Sequence, residues 1–225
     1  MKKSRSFIVI TLCLILLSMF PMAASANTNQ VPSAETVPII TKDNAQAIVE
    51  AAKQGDKNAI KTINNLDCFN TEKIQQKGTL KVSSKEGNKE YYFNDGSSIT
   101  MSVGREISPE NTISATNYTD WGMAQWKILG VEVARYYIYH EIELADDRRH
   151  GWSIDHWDDS DAIPTYTVQQ YGTKMHSGDV YDVCWKIRGA GKFTNVPTGV
   201  SGPKYIFEFY DDVAGNSHTL KVINP

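Results

Sequence analysis

The sequence predicts an α+β fold, mainly β: an N-terminal helical hairpin followed by an antiparallel β-sandwich. Three observations carry this. Helical spacing of apolar residues is confined to a short stretch after Thr41. Period-two alternation then recurs in about eight runs between Leu80 and Ile223, and Gly, Asn and Asp turn signals separate those runs.

The elements follow in order. Lys2, Lys3 and Arg5 precede an apolar run from Phe7 to Phe20, and Ala24-Ser25-Ala26 supplies small residues for cleavage. The pattern of 1–26 is that of a secretory signal peptide. The alternative is a membrane anchor, but a run of about 14 apolar residues is short for a hydrocarbon core that needs about 20. The expected localisation is therefore secreted and extracellular. Residues 27–40 carry Pro32 and Pro38 without periodicity and read as a flexible leader. In the hairpin, 41–77, Thr41 or Asp43 caps a first helix bearing Ala47, Ile48, Ala51 and Ala52, and Gly55 ends it. Asp56 caps a second, with Ala59, Ile60, Ile63 and Leu66 as its stripe. So narrow a stripe needs a larger surface to lie on.

Residues 78–225 form the expected sandwich domain. Leu80 and Val82, then Tyr91 to Phe93, then Ile99, Met101 and Val103 suggest a three-stranded meander. Ser108 to Asp120 reads as loop, and Trp121 to Gly130 is ambiguous between strand and short helix. In the long run Val131 to Leu144, Tyr136, Ile138, His140, Ile142 and Leu144 fall on one face and Tyr137, Tyr139, Glu141 and Glu143 on the other. Asp146 to Pro164 looks like a polar insertion. Strands resume at 166–171, 180–187, 204–210 and 218–223. Gly189-Ala190-Gly191 and Thr198 to Gly202 read as turns, since they lie between strands rather than before a helix.

Composition narrows the partners. Lys2, Lys3 and Arg5 are the only charged residues of 1–26, so of 23 basic and 26 acidic groups the mature chain keeps 20 and 26, a net charge of −6. That balance gives no electrostatic footprint for nucleic acid, and no later segment is apolar enough for stable membrane insertion. The expected partner is an extracellular ligand or a cell-surface component. After cleavage only Cys68 and Cys184 remain. A bridge between them would close more than 100 residues, worth about 4–5 kcal/mol at most; two free thiols are the alternative.

The segment 146–161 is the densest in chemistry. Asp155, Asp158, Asp159 and Asp161 offer the hard oxygens of a calcium site, the one cofactor the sequence raises, although the spacing is not that of an EF-hand. His150 and His156 with Asp155 or Asp158 would suit a transition metal. A solvated acidic loop is the plain alternative. Trp152 and Trp157, with Tyr137, Tyr139 and His150 nearby, make an aromatic platform for sugar rings, against which stands the ordinary use of alternating aromatics as core. No GxSxG elbow supports a serine triad, and His140 is expected buried and hydrogen-bonded rather than paired with Glu141. Cys184 has only Lys186 on its face to favour a thiolate. The expected function is a non-catalytic binding protein that recognises cell-wall or other extracellular glycan. A hydrolase or metal-assisted enzyme using His150, Asp155 and His156, and a membrane-active β-protein, are the competing classes.

Overall fold

A computed structural model describes residues 39–107, 115–145, 149–163, 166–178, 182–195, 201–214 and 217–223; residues 1–38, on which the expected signal peptide and most of the expected leader fall, and residues 146–148 lie outside them. All the described residues belong to the unit Thr36–Pro225. Two five-stranded antiparallel sheets pack face to face. The first runs β1 (Leu80–Ser83), β10 (Ser217–Ile223), β9 (Ser201–Asp212), β8 (Cys184–Asn195), β7 (Tyr166–Ser177). The second runs β2 (Asn88–Tyr92), β3 (Ser97–Ile107), β4 (Ala115–Ile128), β5 (Val131–Ala145), β6 (Gly151–Ala162). The mainly-β sandwich with N-terminal helices is thus as the sequence predicts.

Side chains stitch both sheet edges. Tyr91 on β2 donates to the Lys81 carbonyl of β1 at 2.7 Å and accepts from the Lys81 amide at 2.8 Å. Thr173 on β7 donates to the His156 carbonyl of β6 at 2.9 Å. The strands therefore follow chain order around a flattened barrel, and the edges that would otherwise template aggregation are partly covered.

The interior is aromatic. Trp126 meets Phe193 and Tyr205 edge-on at 4.8 and 4.7 Å, and Tyr136 stacks on Phe207 at 4.4 Å. Three short helices cover this core: α1 (Ala45–Lys53), α2 (Lys57–Asn64) and α3 (Thr71–Gln76), with a 3₁₀ turn at Asp67–Phe69. The Asp56 carboxylate accepts from the Ala59 amide at 2.8 Å and caps α2 as expected. Phe69 stacks on Trp126, and the Tyr205 hydroxyl donates to the Cys68 carbonyl at 3.2 Å, which docks the narrow helical stripe on the sandwich.

Several expectations are corrected. Leu80–Ser83 pairs with β10 and not with β2, so the first three strands are no meander. Residues 115–128 are a full strand. Gly151–Ala162 is also a strand, paired along β5, rather than an insertion. Gly189-Ala190-Gly191 lies in mid-strand, and Ser201 and Gly202 open β9; 196–200 lie outside the described residues. Cys68 and Cys184 are free thiols. Phe193 touches Phe69, beside Cys68, and Cys184 lies nine residues further along β8, about 30 Å at strand rise, far beyond disulfide reach. No helix among the described residues is long and apolar enough to cross a membrane.

Candidate binding face and a buried polar clasp

Alternation fixes which side chains of β3 to β6 face outward, and register fixes which of them meet. Gly104 pairs with Trp121, Trp121 with Tyr139, and Tyr139 with Trp157, a single row across four strands. Tyr139 stacks on Trp157 at 5.1 Å and 16°, and on Tyr137 at 5.6 Å and 15°. Trp121 leans over Gly104, where any Cβ would collide with the indole. Glycine in mid-strand is here the condition for a close approach. Trp157 closes the ladder on β6 with 38 % of its surface exposed.

Polar rows border the ladder. Glu106, Thr119, Glu141 and Asp155 form one, and Tyr137 pairs with Asp159 on the other side, followed by Arg135 with Asp161. Arg135 donates to the Tyr137 hydroxyl at 3.4 Å and to Asp161 at 3.1 Å, and pairs with Glu132 at 3.1 Å. The result is an apolar strip with Glu106, Glu141 and Asp155 along one side and Asp159 on the other.

Of the sequence-predicted platform, Tyr137, Tyr139 and Trp157 come together. Trp152 faces the same side but lies further along β6 beside Glu143, and His150 is exposed at the start of the strand, outside the ladder. The calcium tetrad does not converge. Asp155, Asp159 and Asp161 face outward along one strand, whereas Asp158 faces inward and accepts from the Tyr136 hydroxyl at 2.7 Å. His150 and His156 are separated by six strand positions, about 20 Å, so they share no metal.

On the inner side the strands assemble a polar cluster that the sequence does not announce. His140 is wholly buried; its Nδ1 lies 2.8 Å from Asp211 and its Nε2 2.9 Å from the Ser153 hydroxyl. Arg105 grips buried Asp120 with two bonds of 2.5 Å, and His218 Nδ1 stands 4.0 Å from Asp120. Burial pushes Asp211 well above the ordinary carboxyl range, and the neighbouring Asp120 charge adds to this. Burial also lowers the pKa of His140, to about 3. Ser153, His140 and Asp211 have the atom pairing of a nucleophile, a base and its orienter. Yet the base is sealed beneath Trp185, whose ring lies 4.9 Å away, and an imidazole at about 3 is a feeble proton acceptor near neutrality. Physically the array is a clasp that ties β6, β5 and β9 together between two apolar clusters. Cys184 is no better placed for chemistry, because burial and Asp212 raise its thiol pKa.

Sequence reasoning missed Trp121 in the ladder, and Arg105, Asp120, Asp211 and His218 in the clasp. A lone glycine in a strand pattern at Gly104 was the available signal for the first; partners drawn from four strands left none for the second. Comparison with protein families, with characterised proteins and with solved structures finds no match, so the reading of these residues rests on their geometry and chemistry.

Proposed function

We propose that this chain is a secreted, non-catalytic binding protein whose outer β3 to β6 face recognises an extracellular glycan. The observation that carries the reading is the row Trp121, Tyr139, Trp157, continued by Tyr137, with Glu106, Glu141 and Asp155 along one side and Asp159 on the other. Pyranose rings offer apolar CH surfaces to an aromatic strip, and their hydroxyls donate to flanking carboxylates. Strands lie about 4.8 Å apart, so the row presents aromatic contacts over about 10 Å across β4 to β6, the reach of a short run of sugar units. Carboxylates on both sides favour a neutral or amino sugar over an acidic one.

Retention on insoluble cell-wall glycan, chitin and cellulose tests this. The parent should be retained on at least one, and Tyr139→Ala with Trp157→Ala should weaken retention by ten-fold or more while the melting temperature moves by a few degrees at most. Equal retention of parent and double variant would remove the reading. Trp152→Ala, outside the ladder, should behave as the parent.

A further inference from the structure

The opposite face of the molecule has a different character. On the outer side of β1, β10, β9, β8 and β7, one register row reads Lys81, Lys221, Glu208, Arg188, Lys174. Lys186 lies on one side of this row, and Lys192 and Lys204, paired with each other, lie on the other. The anion inside the row is already engaged: Glu208 accepts from Arg188 at 3.0 Å and stands 3.8 Å from Lys186. Asp212 is a second outward carboxylate, and Asp182 stands near it, both at the Cys184 end. The face therefore carries a cationic excess that the net charge of −3 conceals.

Two clefts of about 370 Å³ each open on this same face. One is lined by Tyr171, Lys174, His176, Arg188 and Lys204. The other lies towards the far edge and is lined by Lys81, Lys221, Tyr210, Ser83 and Glu86, whose carboxylate accepts from Ser83 and from Lys89. Each holds a tyrosine and at least two cations, and the row from Lys174 to Lys81 runs from one to the other across five strands, about 19 Å at strand spacing. In the first cleft Lys204 sits 4.2 Å above the Tyr171 ring.

We infer that this face is a second binding site, independent of the glycan strip, and that its ligand is a linear polyanion bearing phosphate groups. Clefts in line admit a chain whose successive charges enter each in turn, while a bilayer surface, too broad to enter either, would meet only their rims. Lysine and arginine are the residues that bind phosphate, as point charge and as planar fork respectively. Neutralising several phosphates releases counterions, so binding falls steeply with salt.

Long-chain inorganic polyphosphate, titrated against the full mature chain at 20 to 200 mM salt, is the test. Binding is expected at low salt, with an affinity loss of ten-fold or more across that range. Lys174→Gln with Lys204→Gln, two exposed positions, should weaken it at least five-fold and flatten the salt dependence, whereas Lys57→Gln with Lys61→Gln on α2 should leave it unchanged. Orthophosphate should compete only at far higher concentration. Absence of polyphosphate binding at 20 mM salt, or equal effects of the two double variants, would overturn the inference. Binding to phosphatidylglycerol vesicles without binding to polyphosphate would overturn it in favour of a membrane surface. Glycan retention of Lys174→Gln, Lys204→Gln should match the parent, which separates failure here from failure of the glycan site.

Discussion

At the scale of single residues, the clasp makes stability depend on pH in a way that can be signed. Burial holds His140 at about 3 against an ordinary 6.5, so as pH falls the unfolded chain takes up the proton first. Its stabilising contribution is complete above 6.5 and is lost between 6.5 and about 3; at pH 5 the loss is about 2 kcal/mol. His218 is shifted the same way, again through burial. Asp211, raised by burial and by Asp120, has the opposite sign: its contribution is complete below about 3.8 and is lost as pH rises towards its folded value. Between 3.8 and 6.5 the aspartate therefore offsets one of the two histidines. Asp211→Asn keeps an acceptor for His140 and removes that offset. Its melting temperature should fall more steeply than the parent's from pH 6.5 to 4, and should exceed it, relative to pH 5, at pH 8. Superimposable pH profiles would show that Asp211 does not hold its proton in the folded state.

At the scale of elements, what the sequence disclosed and what it hid have physical causes. The strand Val131–Ala145 was fully legible, because Tyr136, Ile138, His140, Ile142 and Leu144 are all buried and their neighbours are not. Its partner β6 was illegible for two reasons. A bulge places Ile154 outside the register, so Trp152 and Trp157 face the same side across an odd interval. Its inner positions, Ser153, His156, Asp158 and Ser160, are polar, so no apolar alternation marks the strand. The glycines of β8 misled in another way. Gly189 is not a turn residue; the Tyr136 hydroxyl occupies the place of its Cβ, on the way to Asp158. Gly189→Val should therefore displace Tyr136 and leave Asp158 without its donor, at a cost of about 2–4 kcal/mol in urea denaturation. A loss below 0.5 kcal/mol would mean that the sheets can part without penalty at this point. The aromatic ladder was half legible: period two predicted Tyr137 and Tyr139, but only pairing across strands adds Trp121 and selects Trp157 over Trp152.

At the scale of the whole molecule, charge is sorted by sheet. Glu90, Glu106, Glu141, Asp155, Asp159 and Asp161 on β2 to β6 outnumber Lys89, Lys127 and Arg135 there, whereas Lys81, Lys174, Lys186, Arg188, Lys204 and Lys221 on β1 and β7 to β10 outnumber Glu208 and Asp212. A count of charges along the chain averages these and suggests no anionic partner; folding separates them onto faces about 10 Å of core apart, with the side chains of both sheets beyond that. Such an arrangement has a consequence for the two proposed sites together. They lie back to back, so neither ligand would obstruct the other, and one molecule would bridge a glycan and a polyanion. Protein immobilised on the glycan that retains it should then capture fluorescent polyphosphate at low salt, in close to the amount bound free in solution. The capture should weaken by ten-fold or more at 200 mM salt while the protein stays on the glycan, since CH–aromatic contacts are not screened and phosphate contacts are. Release of the protein from the glycan by polyphosphate at low salt would mean instead that both ligands compete for one face.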